Sequence, residues 1–215
     1  MTLRLCLAGN SHVGAYKRAW RQIGGEFGDV SIDMFGAPGR RFGDLDVRDG
    51  RLIAESPEAE ASLVATGGSR EIRLADYDAL VVVGGSTRLN AIVNLAKTCC
   101  PPFMNAELVD RKDAGRFRAF YQKNDAAVPV TQAFFQHLVR AESADCNAAR
   151  LLAAMAQQSP IRLGHVATPF PSSALRSLKP NHVICQIADL GCGPAFAELA
   201  WKALEEVMPA GVVLV

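Results

Sequence analysis

Long apolar runs are missing from this 215-residue chain. A helix that spans a bilayer needs roughly 18 consecutive apolar residues. The longest candidates here, such as Ala79-Leu80-Val81-Val82-Val83, have the length of a strand, so no membrane span is expected. An excess of one charge is missing too: 23 Lys and Arg stand against 22 Asp and Glu, a formal net charge of +1. That balance argues against a nucleic-acid groove or a membrane-binding face as the main surface. The first eight residues carry one positive charge and a short apolar run that leads straight into Gly9-Asn10-Ser11. A secretory leader needs a longer apolar region and a cleavage site, so a cytoplasmic protein is expected. The cysteines Cys6, Cys99, Cys100, Cys146, Cys185 and Cys192 form no C-x-x-C. Reduced, mostly structural thiols are expected, with no metal site and no organic cofactor. There is no Walker A, no G-x-G-x-x-G after a strand and no G-x-S-x-G elbow, so nucleotide binding and the α/β-hydrolase class have no specific support.

What is present is a chain with 49% hydrophobic and 21% charged residues, enough to bury a real core. Residues 3–8 form a short apolar run closed by Gly9. Residues 13–23 have helical spacing, with Val13, Tyr16, Trp20 and Ile23 on one face. Gly24-Gly25 ends that helix, and residues 30–35 alternate as a strand closed by Gly36-Ala37-Pro38-Gly39. A crossover this short predicts a parallel strand pair with a right-handed connection. From about residue 40 to 77 the texture changes to Gly, Asp, Glu and Arg, with short runs at 51–54, 62–66 and 71–74 set apart by Asp49-Gly50 and Gly67-Gly68. These turn signals predict a β-rich insertion of short strands. Residues 79–83 are a β-branched run suited to a strand buried on both faces. Helices are expected at 87–98, 107–123, 130–158 (jointed near Ser143) and 194–207, and strands at 161–168 and 211–215. The sum is a single α/β domain over residues 1–215 with about five parallel strands and the insertion at 40–77.

Open parallel sheets bind ligands at the carboxyl ends of their strands. Three small-residue loops are expected there: Gly9-Asn10-Ser11-His12, Gly36-Ala37-Pro38-Gly39 and Gly84-Gly85-Ser86-Thr87. A serine between the first strand and its helix has its own N–H pointing outward, where the helix dipole favours negative charge. Its hydroxyl can attack a carbonyl while its amide stabilises the oxyanion. The plain alternative is that Ser11 or Asn10 only caps the helix. The arginines around Arg40-Arg41, Arg70-Arg73 and Arg116-Arg118 are read as solvated faces, with the alternative that Arg40-Arg41, beside the second loop, meet an anionic substrate.

Leu5-Cys6-Leu7-Ala8-Gly9-Asn10-Ser11-His12 resembles the first block of the SGNH (GDSL-type) hydrolase superfamily in its G-[DN]-S-H form. The resemblance implies a three-layer, flavodoxin-like sandwich. It also implies an esterase or acyltransferase acting on small esters, lipids or acetylated sugars, here a small-molecule or sugar ester. Ser11 would be the nucleophile. Gly36 or Gly39 would be the second-block glycine of the oxyanion site, and the third block would fall at Gly84, Gly85, Ser86 and Thr87. Asn10 and His12 would border the pocket.

Two departures stand out. Ser86 or Thr87 occupies the place of the third-block asparagine, and loss of a good oxyanion donor costs about 3 kcal/mol of transition-state stabilisation. The family's D-x-x-H block, which supplies base and acid, occurs nowhere; Asp189 and Cys192 have the spacing with the wrong last residue. Among the four histidines, His12 adjoins Ser11, His137 is expected on helix surface, His165 inside a strand as a core residue, and His182 in a loop as the candidate base. Two expectations remain open: the natural chain continues past Val215 into the missing catalytic loop and helix, or the chain is a degenerate member that binds a ligand or partner without turnover.

Overall fold

Leu3–Gly9 forms the first strand, β1, and pairs along its whole length with β2, Val30–Gly36, in parallel register. In this computed structural model the described residues are 2–85, 89–105, 108, 110–123, 128–167 and 183–215. Between the two strands runs α1, Val13–Ile23, as the spacing predicts. Contacts divide the chain into two compact units, Met1–Ser86 with Cys146–Thr168 and Met208–Val215 as the first, and Thr87–Asp145 with Pro169–Val207 as the second.

In the first unit, β2 leads through a 3-10 turn to β3 (Leu45–Arg48), β4 (Arg51–Ala54), α2 (Pro57–Gly67), β5 (Glu71–Arg73) and β6 (Ala79–Val83). β3, β4 and β5 make a small antiparallel sheet, so the strands expected at 51–54 and 71–74 are there. The run at 62–66 is not a strand; it lies within α2. Turn signals on either side misled there, because the start signals sit just upstream. Ser56 accepts the Ala59 N–H at 3.2 Å, Pro57 fills the first helical position, and Glu58 and Glu60 face the positive helix end.

The second unit contains α3 (Leu89–Thr98), β7 (Cys99–Cys100), α4 (Arg111–Lys123), β8 (Val128–Pro129) and α5 (Gln132–Ala144). The long helix expected at 130–158 is two helices: α5 ends at Ala144, and α6 (Asn147–Gln158) begins anew in the first unit, with Cys146 Sγ accepting the Ala149 N–H. β9 (Arg162–Val166) follows, then α7 (Val183–Asp189) and α8 (Gly193–Val207) in the second unit, and β10 (Val213–Leu214) back in the first. α7 was not foreseen. The second unit's core gathers Ile92, Val93, Phe117, Phe120, Phe135, Val139, Ile187 and Phe196. No described helix is long and apolar enough to cross a membrane.

The main sheet has five strands in the order β10-β9-β6-β1-β2, all parallel. Renumbered by appearance within the sheet, this is the 2-1-3-4-5 arrangement of a doubly wound α/β fold. Register puts Cys6, Ala8, Phe35, Leu80, Val82, Leu163 and His165 on one face, all buried. α2 lies against that face through Gly67, where any side chain would strike the Phe35 ring. The opposite face carries Leu7, Met34 and Val83 against Val13, with Trp20, Ile32 and Val81 partly covered. The apolar face expected on α1 is therefore only partly buried: Tyr16 and Ile23 remain exposed, at 38% and 44%.

Candidate functional site

The direction of the crossovers reverses between β1 and β6, so their carboxyl ends flank the topological switch point, where doubly wound sheets open a crevice. Gly9 ends β1 there, level with Gly36 on one side and Val83 on the other. A Cβ at Gly9 would collide with the Val83 carbonyl oxygen, so the close strand approach requires glycine. Ala37 N–H donates to Gly9 O at 2.8 Å and Asn10 N–H to Val83 O at 3.2 Å. The first loop is thereby stitched to both neighbours.

Beyond that point the chain turns into α1. Ser11 is exposed, and its hydroxyl has no hydrogen-bond partner among the described residues. It does not cap the helix: α1 begins at His12 without a side-chain cap. The turn is held by Asn10 instead, whose Oδ1 accepts the His12 backbone N–H at 3.0 Å and meets His12 Nδ1 at 2.7 Å. The Asn10 amide lies over Gly84: a Cβ on Gly84 would stand 2.6 to 2.8 Å from it, and Gly84 has a φ of +67°. First and third loops thus touch through Asn10, and Gly84 is glycine for both space and backbone.

An oxyanion site needs unpaired donors aimed at the reacting centre, and the loops divide sharply on this. Gly36 N–H already donates to Thr66 Oγ1 at 2.8 Å, and Gly84 N–H donates to Val166 O at 2.8 Å. Both amides are occupied. Those of Ser11, Gly39 and Gly85 have no partner among the described residues. Of the two second-block candidates, Gly39 is therefore the one with a free amide. Gly85 packs against the buried Phe42 ring, and its carbonyl accepts the Ala148 N–H at 3.1 Å. Ser86 and Thr87 lie outside the described residues, as does His182.

His165 is fully buried; its Nδ1 lies 2.9 Å from Val82 O and its Nε2 has no partner. Burial pushes its pKa below the ordinary imidazole value. It is a core residue, and among the described residues no imidazole bonds the Ser11 hydroxyl. His137 is exposed on α5, lining a shallow cavity of about 250 Å³ with Arg140, Lys202 and Glu206. Cys192 N–H donates to Ile187 O between α7 and α8, so Asp189 and Cys192 form a helix junction. All six cysteines are free thiols, and burial, assisted by the Asp33 carboxylate, pushes Cys6 well up. No cluster of three His, Cys, Asp or Glu side chains among the described residues could hold a metal ion.

Sequence reasoning passed over Thr66, Phe42 and Lys17. Thr66 Oγ1 occupies the Gly36 amide, and Lys17 Nζ donates to Thr66 O at 2.6 Å, tying α1 to α2. These partners are 30 and 49 residues apart, and no local pattern signals them. The Asn10-x-His12 contact was legible, since Asn commonly bonds the backbone two residues on. Comparison with protein-family models, with curated proteins and with solved structures found no match.

Proposed function

We propose that the chain is a serine ester hydrolase or acyl-transfer enzyme of the SGNH type. It would act on a small or carbohydrate-linked ester through an acyl-Ser11 intermediate. The observation that carries this reading is an exposed, unbonded serine hydroxyl at the switch point, in a loop set with free amides at Ser11, Gly39 and Gly85. In the first half-reaction Ser11 Oγ bonds to the carbonyl carbon, the bond to the alcohol oxygen breaks, and the hydroxyl proton leaves with the alcohol. In the second, water or an acceptor alcohol replaces Oγ, whose proton is restored. Charge on the carbonyl oxygen during both steps falls to the unpaired amides.

A second reading has its own support. No described imidazole engages Ser11, the amides of Gly36 and Gly84 are occupied, and the third loop lacks asparagine. A protein that keeps these strand ends to bind an ester or sugar without turnover fits those facts. A fluorophosphonate probe separates the two. The enzyme is labelled on Ser11 and the folded Ser11→Ala variant is not; a binding protein stays unlabelled while folded.

A further inference from the structure

The Gly9–His12 turn holds enough geometry to fix a tautomer. Asn10 Oδ1 meets the His12 backbone nitrogen at 3.0 Å and the His12 ring Nδ1 at 2.7 Å. A backbone N–H can only donate, so the Asn10 atom it meets is the amide oxygen, not the nitrogen. An amide oxygen can only accept, so His12 Nδ1 carries the proton. In the neutral ring this leaves Nε2 bare, an acceptor with a lone pair and no proton. Rotation of Asn10 would break both bonds, and Gly84 packs against its amide. The ring itself is half-buried beside the exposed Ser11, and Nε2 has no partner among the described residues.

Among the described residues the His12 ring makes no hydrogen bond to the Ser11 hydroxyl. A lone pair so placed suits a donor on the substrate. We propose that His12 is a specificity-determining residue that accepts, through Nε2, a hydrogen bond from a free hydroxyl near the ester bond. Asn10 acts as its positioning residue. The substrate class is then a partially acylated polyol or sugar rather than a plain alkyl ester. The substrate assignment rests on Ser11 as the acylated residue; the tautomer and the hydroxyl contact do not.

Two measurements test it separately. In Ser11→Ala protein with isotope-labelled histidine, nitrogen NMR reads the His12 ring during titration with ethylene glycol monoacetate and with its methyl ether. The expected result is an unprotonated Nε2 whose resonance moves with the hydroxyl-bearing ester alone. Asn10→Ala weakens that response about tenfold, the scale of one lost hydrogen bond, and Asn10→Asp, which keeps an acceptor oxygen, restores it. A protonated Nε2, or equal responses to the two esters, overturns the proposal. In turnover, wild-type kcat/KM favours the monoacetate over the ether by about tenfold, and His12→Phe brings the ratio to near one; an unchanged ratio overturns the proposal. Failure of fluorophosphonate labelling strikes the Ser11 reading, while the titration still decides the role of His12.

Discussion

The two units reach stability by different routes. The second is built around aromatic rings: Phe103, Phe135 and Phe196 meet edge to face, with centroids 5.4 to 6.2 Å apart and planes near perpendicular. Ile92, Met104, Ile187 and Leu199 fill in around those rings. The first unit packs mostly aliphatic strand residues, with Phe35 and Phe42 as its buried phenylalanines. β1 and β2 end in glycine, Gly9 accepting the Ala37 N–H and Gly36 donating to Thr66 Oγ1. In the loops beyond this unit's strands the amides of Ser11, Gly39 and Gly85 have no partner among the described residues, and that is where an oxyanion could be stabilised. The candidate chemistry thus sits on the unit whose loops leave these amides unpaired.

Truncating a ring should break this contrast most visibly. Phe135→Ala removes a fully buried side chain with two edge-to-face partners and is expected to cost about 3–5 kcal/mol, read from chemical denaturation. Phe134→Ala, one residue away and half exposed, should cost less than about 0.5 kcal/mol. In the first unit the equivalent damage comes from adding one carbon. Gly9→Ala drives a methyl into the Val83 carbonyl, and overpacking of this kind costs about 1–3 kcal/mol. Its second effect is specific: the Asn10 N–H bond to Val83 O lies one residue on, so fluorophosphonate labelling of Ser11 should fall beyond what lost stability explains.

The sheet was legible because its signals are local. A β-branched run, a glycine stop and a helix-spaced segment fix β1, α1, β2 and β6 within a residue or so. The Gly9–His12 turn was legible for the same reason. What failed were decisions made by distant partners. That the Gly36 amide is occupied depends on Thr66, and the segment carrying Thr66 reads as a strand from the turn signals Asp49-Gly50 and Gly67-Gly68, whereas Ser56-Pro57 starts a helix. The break between α5 and α6 was expected near Ser143 and falls just beyond it, at Asp145 and Cys146. The partial cover of α1 could not be read from its periodicity, since a helical stripe shows which face is apolar and not what meets it.

A pH series sharpens the comparison on the sheet side. Burial lowers the His165 pKa in the folded state, while the unfolded chain keeps a value near 6.5. Between the two, the unfolded state binds more protons. The stabilising contribution is therefore complete above about pH 6.5 and is lost as pH falls through the lowered folded value. Nδ1 is committed to Val82 O, so a proton added at Nε2 would be a buried donor with no acceptor. Stability should decline on acidification below about pH 6.5, and His165→Leu should flatten that decline in denaturation curves taken across pH.

A smaller effect than at Phe135 or Gly9 is expected at Ser56, and it tests whether α2 supports the candidate site. The hydroxyl accepts the Ala59 N–H at 3.2 Å and donates to Asp44 Oδ2 at 2.7 Å, so it both starts the helix and ties it to the preceding turn. Ser56→Ala should cost about 1 kcal/mol, and Ser56→Thr, which keeps the hydroxyl, should cost less. Ten residues on, Thr66 Oγ1 accepts the Gly36 N–H at 2.8 Å, while its own proton has Ser62 O at 2.7 Å as the nearer acceptor and Gly36 O at 3.2 Å as the farther. Fraying begins at the first turn and must travel most of the helix to reach that contact. Hydrogen exchange should therefore quicken at Ala59 in Ser56→Ala while the Gly36 amide stays protected; equal acceleration at both would mean that α2 opens as one piece and that the second loop is only as firm as this one cap.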